Sequence, residues 1–160
     1  MSDVRAKIEI KLDELATTNH CGAGMLELTQ SESKLRCRVA STDRLACKIE
    51  SFHVLSPTLA ALDGAALEAL ADRLVDRISY LEESLTVVER DSVAVESQLR
   101  STKPLVAEDA KCYFELMVDR NGMLLHRYQK SAGSQRTAIP AVVTRAIVSR
   151  LCEDLLDLSE

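Results

Sequence analysis

Cys112, Phe114, Leu116 and Val118 alternate with Tyr113, Glu115, Met117 and Asp119, and Asn121-Gly122 follows before a second run from Met123 to Gln129. Alternation with a period of two sends successive side chains to opposite faces of a sheet, and Asn-Gly supplies the positive-φ residues of a tight hairpin turn. The pattern commits this half of the chain to an antiparallel hairpin with one apolar face.

The same period recurs earlier. After the Cys21-Gly22-Ala23-Gly24 break, Met25 to Gln30 reads as a strand. Leu35, Cys37 and Val39 share one face of a second, and Leu45, Cys47 and Ile49 one face of a third. Together they read as a meander, apolar on one side and wet on the other. A further hairpin is expected to turn near Arg90-Asp91-Ser92, with Leu85 and Val87 before it and Val93 and Val95 after it. Ser101 through Ala110 reads as a loop.

Helices close these runs. Asp63 is placed as an N-cap, with Leu62 set to staple against Leu67, and the stripe Leu67, Leu70, Leu74, Ile78, Leu81 predicts a helix to about Tyr80. A last helix is expected to begin near Pro140, with Ile139, Val143, Ile147, Leu151, Leu155 and Leu158 as its buried stripe. Residues 3–16 fit two periods. Val4, Ile8, Leu12 and Leu15 share a helical face while Ile8, Ile10 and Leu12 alternate with charged neighbours, so helix and strand both stay open, with helix preferred.

These elements predict an α+β fold: an antiparallel sheet of about six to eight strands in hairpin and meander order, with two or three helices packed on it. At 160 residues, 46% apolar and 28% charged, the chain is long and apolar enough for one core without a cofactor or disulfide. A single domain spanning 1–160 is expected. It could consist of two similar halves, about 1–82 and 83–160, each a set of strands followed by a helix.

No run is apolar enough to span a bilayer, and the charged start MSDVRAKIEIKLDE lacks the apolar stretch of a signal peptide, so no membrane partner and a cytoplasmic location are expected. With no Trp, two Phe and three Tyr, the usual stacking platforms for single-stranded nucleic acid or sugar are missing.

Charge is divided unevenly. From Arg120 through Cys152 stand Arg120, Arg127, Lys130, Arg136, Arg145 and Arg150, with His126 and no acid. That segment is +6 and the remainder −11, within a total of −5. A basic stretch with a Gly/Ser loop ahead of a helix N-terminus suits an anion, and Arg127, Lys130, Ser131, Ser134, Arg136 and Thr137 are the candidate contacts. The loop has one glycine, Gly133, and no P-loop pattern. The plainer explanation is neutralisation against acids elsewhere in the fold or across a dimer interface.

Five cysteines, Cys21, Cys37, Cys47, Cys112 and Cys152, lack paired spacing and suit reduced thiols. Cys37, Cys47 and Cys112 fall on apolar strand faces and read as core. Zinc ligation by Cys21, Cys37 and Cys47 with His20 or His53 lacks the closely spaced pairs of structural zinc sites. No nucleophile, dinucleotide or metalloprotease motif appears. No metal and no cofactor are therefore expected.

The reading that results is a small non-enzymatic binding or adaptor protein acting through protein contacts, as a homodimer whose sheet edges are covered. Anion or nucleic-acid-backbone binding by 120–150 is the alternative, and a thiol- or metal-dependent enzyme a second. In the order helix, three strands, helix, strands, helix, this small acidic chain resembles the bacterial type III secretion chaperones. The resemblance is one of arrangement, and it implies no site residue.

Overall fold

In the computed structural model, which describes residues 2–160, the chain forms one antiparallel sheet with helices on one face. The first meander is β1 (Gly24–Gln30), β2 (Ser33–Thr42) and β3 (Ala46–Leu55). The second is β4 (Leu85–Asp91), β5 (Glu96–Ser101), β6 (Leu105–Ala107), β7 (Ala110–Asp119) and β8 (Gly122–Ser131). They join side by side in the order β1-β2-β3-β8-β7-β5-β4, with β6 also on β7. Two short strands complete the sheet: β9 (Thr137–Ile139) on β8 and β10 (Ala141–Thr144) on β3. The expected α+β class and meander order are observed, with ten strands in all.

The helices are α1 (Asp3–Thr18), α2 (a single turn, Pro57–Ala60), α3 (Gly64–Arg77) and α4 (Arg145–Leu158). Residues 3–16, which fitted two periods, are helical. Ser2 caps α1 by accepting from the Arg5 N–H, and Asp63 caps α3 by accepting from the Ala66 N–H at 2.7 Å. The exposed strand residues of β2, Lys34, Arg36 and Arg38, alternate with buried Ser33, Leu35, Cys37 and Val39. The buried side joins Phe52, Val54, Leu99, Leu116, Val118 and Leu125 in one core cluster with Leu12, Leu70, Leu74, Leu151 and Leu155 of the helices.

α3 and α4 each cross to the other meander, whereas α1 packs on β1 and β2, the strands that follow it. Following β1–β3, α3 packs on β4, β5 and β7; following β8, α4 packs on β2, β3, β10 and α1.

The last helix begins at Arg145, not near Pro140. The reason lies in β3 and β8, which pair with each other only over Phe52–Val54 and Met123–Leu125. Beyond that contact they splay, and β9 and β10 fill the gap, Thr137–Ile139 against Arg127–Gln129 and Ala141–Thr144 against Ala46–Ile49. Backbone groups that the splay would leave unpaired are satisfied this way. Pro140, with no N–H to donate, sits where the chain passes from one strand to the other, and Thr144 caps α4 through the Ile147 N–H.

Smaller differences have local causes. α3 stops at Arg77, with the Ile78 N–H still donating to the Leu74 carbonyl. The β4–β5 turn falls at 92–95, so that Val93 and Val95, expected on the second strand, lie in the turn; the Asp91 carboxylate accepts from the Val93 and Ala94 N–H groups and places it there. The expected loop at 101–110 contains β6, held by Leu105–Ala107 pairing with Ala110–Cys112.

Candidate functional site

The residues named from the charge pattern divide between the two sheet faces. Arg127 sits opposite Phe114 and shares its helix-covered face. Its guanidinium donates two hydrogen bonds of 2.8 Å to the Glu83 carboxylate and lies 4.6 Å from the Phe114 ring centre. The hydrogen-bonded Glu83 carboxylate raises the Arg127 pKa further. Arg127 is a structural cation.

Lys130 is an odd number of residues along the strand and projects from the helix-free face. Arg136 reaches the same place from the loop after β8. Ser131 ends β8 opposite Ala110, its carbonyl accepting from the Ser134 N–H across a turn with Gly133 at φ +74°. Thr137 is exposed on β9 opposite Gln129. Since α4 starts at Arg145, no helix N-terminus follows this loop, and that support for an anion site falls away.

Neutralisation accounts for most of the basic segment. Arg127 pairs with Glu83, Arg136 with Glu115, Arg145 with Asp13 and Glu9, and Arg150 with Asp154 at 3.8 Å. Arg120 donates to the Leu62 carbonyl. Lys130 has no ion pair among the described residues.

Two cations the charge reading missed complete a groove. Arg100 on β5 and Lys111 on β7 join Lys130 and Arg136, with Gln98, Pro104 and Tyr113, around a recess of about 540 Å³. Glu115, buried at its floor, accepts through one carboxylate oxygen from both Arg136 (2.5 Å) and Arg100 (3.1 Å). Arg136 stacks 4.1 Å from the Tyr128 ring centre and Arg100 5.1 Å from that of Tyr113. A shared carboxylate and two aromatic faces thus hold both guanidinium groups in place.

The other face carries an apolar cleft of similar size, about 550 Å³. Its floor is Cys112, Phe114 and Arg127, and its walls are Tyr80 and Leu81 on one side and Ile139, Pro140, Val143 and Ile147 on the other. Leu105 and Val142 line its mouth at 43% and 69% exposed, and neighbouring Val106 is 64% exposed. Val106 is opposite Lys111 and so projects from the other face of the sheet, which leaves Leu105 and Val142 as the exposed apolar side chains at the mouth of the cleft, the kind of surface partners cover.

The thiols occupy three settings. Cys37, Cys47 and Cys152 are buried, and burial together with the hydrogen-bonded Cys152 thiol pushes the Cys37 pKa well up. Cys112 is half-buried in the apolar cleft, and Cys21 is exposed at φ +56° in the turn after α1. Among the described residues no three His, Cys, Asp or Glu side chains are grouped to hold a metal ion. No described helix is long and apolar enough to cross a membrane. Comparison with known proteins finds no matching family model, no matching curated protein and no matching solved structure.

Proposed function

We propose that this protein is a non-enzymatic adaptor that holds an extended, apolar segment of a partner protein in the cleft between the β7–β8 floor and the β9–β10 wall. The observation that carries the reading is the cleft with its exposed mouth, Leu105 and Val142. Arg127 is neutralised by Glu83, so the cation in the cleft needs no counter-charge from a ligand, and with Glu82 the one other charged side chain of a mainly apolar lining the cleft favours an apolar segment. An extended segment fits because β6, all of it exposed, pairs only with β7 among the described strands and presents a free edge beside the cleft. Backbone pairing at such an edge gives affinity, and side chains in the cleft give selectivity.

The adaptor is proposed to act in the cytoplasm, which five free thiols favour, and as a homodimer that covers the sheet edges at β1 and β4. Sedimentation velocity under reducing conditions reads the subunit number, and a monomer at all concentrations ends the dimer proposal.

Cys112 supplies the test of the cleft. With a partner captured from the source cells, the complex is treated with iodoacetamide and alkylation is followed residue by residue. Cys112 is expected to be protected while Cys21 reacts as in the free protein, and Leu105→Asp with Val142→Asp is expected to abolish capture without changing the far-UV spectrum. Equal Cys112 alkylation in free and bound protein refutes the cleft as the binding site.

A further inference from the structure

We infer that the groove formed by Arg100, Lys111, Lys130 and Arg136 on the helix-free face is a receptor for a phosphate monoester.

Four cations surround one carboxylate, Glu115, so the groove carries a surplus of +3 while the rest of the chain carries −8. Elsewhere on this face Arg36 pairs with Glu27 at 3.2 Å and Arg38 with Glu50 at 3.8 Å, each cation with its own carboxylate. Lys111 and Lys130 are directly opposed across the β7–β8 ladder, and neither has an ion pair among the described residues. Like charges in that position oppose pairing of the strands. A bound anion removes the conflict.

One buried carboxylate oxygen fixes both guanidinium groups and uses a single N–H of each, while the tyrosine rings hold their planes. Arg100 also buries its Nε without a hydrogen-bond partner. Fixed forks with spare donors lose little freedom when an oxyanion arrives.

A carboxylate is planar and carries one charge, whereas donors converging from β5, β7, β8 and the loop after β8 suit a dianion with three terminal oxygens. A nucleic-acid backbone would run past the groove onto a chain that is acidic overall, and both tyrosine faces are already occupied by arginine rather than free for bases. The recess of about 540 Å³ leaves room for the group that bears the phosphate.

The chemistry is shared by a phosphorylated side chain and a small phosphate ester. Isothermal titration calorimetry of the full chain uses glycerol 3-phosphate, a phosphoserine peptide, the same peptide with glutamate in place of phosphoserine, and a short single-stranded DNA. Both monoesters are expected to bind, and the glutamate peptide and DNA at least about tenfold more weakly, the scale of one charge-assisted hydrogen bond. Comparable monoester affinities indicate a small ester as the source, and tighter binding of the peptide indicates a phosphorylated protein. The Lys111→Gln/Lys130→Gln variant, which leaves the Glu115 floor intact, is expected to lose about tenfold or more in affinity with its melting temperature retained, and Lys34→Gln on the same face to lose nothing. No monoester binding, equal binding of the glutamate peptide or DNA, or undiminished binding by the double variant would overturn the assignment.

Discussion

Replacing Glu83 with glutamine isolates the energetics of the inner-face ion pair. The Arg127 and Glu83 side chains are 10% and 5% exposed, joined by two hydrogen bonds of 2.8 Å. Glutamine keeps the shape, removes the charge and sets an amide N–H against a guanidinium N–H. Arg127 is then a buried cation without a counter-ion, a change that costs about 3 kcal/mol. For a chain of this length that lowers Tm by roughly 6–12 °C, since each kcal/mol moves the midpoint by about 2–4 °C. Urea unfolding followed by circular dichroism gives the free energy, and the m-value reports whether the transition keeps its two-state form. The double variant Glu83→Leu/Arg127→Met separates burial of a charge from loss of packing. Replacing both members of a buried pair with apolar residues is often neutral or stabilising, so the double variant is expected to be more stable than Glu83→Gln. A cost below about 1 kcal/mol for Glu83→Gln, the range of exposed pairs, would refute the reasoning, as would a double variant weaker than the single one.

Gly122 stands at φ +130°, and a Cβ there would lie 2.2 Å from the Val54 carbonyl oxygen, so Gly122→Ala is expected to destabilise by about 1–3 kcal/mol or more in the same urea assay. The Asp43 carboxyl is held below its ordinary value by the Ala46 and Leu45 N–H groups it accepts from, with Arg145 adding a smaller pull. A depressed folded pKa contributes stability that is present above the ordinary carboxylate range, near pH 4, and lost as pH falls through the lower folded value. Asp43→Ala is therefore expected to narrow the gap to wild type as the pH is lowered from neutral through this range, and a gap that is constant with pH would count against it. Iodoacetamide is expected to modify Cys21 first and to reach Cys37, Cys47 and Cys152 only on unfolding, read by peptide mass spectrometry.

Local patterns carried the first meander, the β7–β8 hairpin and α3, because each is decided within its own segment. Asp63 accepts from Ala66 where a cap was expected, and Cys112 to Val118 alternate as an antiparallel pair requires. Residues 137–144 were not legible, since Ile139, Val143 and Ile147 recur at a helical spacing. What made 137–144 a pair of strands is the splay between β3 and β8, a tertiary fact with no local signal. The charge pattern was half legible. Arg127 and Lys130 differ by an odd number of positions on one strand, which places them on opposite faces, so parity alone could have divided the group. Arg100 and Lys111 lie outside the acid-free stretch and reach Lys130 and Arg136 only through strand register.

The exchange of helices between the meanders governs when this chain can fold during synthesis. β2 and β3 are complete long before α4, whose Cys152 joins Cys37 of β2 in the core, and α3 is made before the strands it covers exist. The first half therefore emerges from the ribosome with its apolar sheet face covered only by α1, over β1 and β2, and with an amphipathic helix, α3, that has no sheet to cover. The rest of the cover arrives with the Arg145–Leu158 segment. Through that interval the nascent chain depends on fast completion or on a holding chaperone, and a product truncated before Arg145 would aggregate rather than fold as a smaller domain.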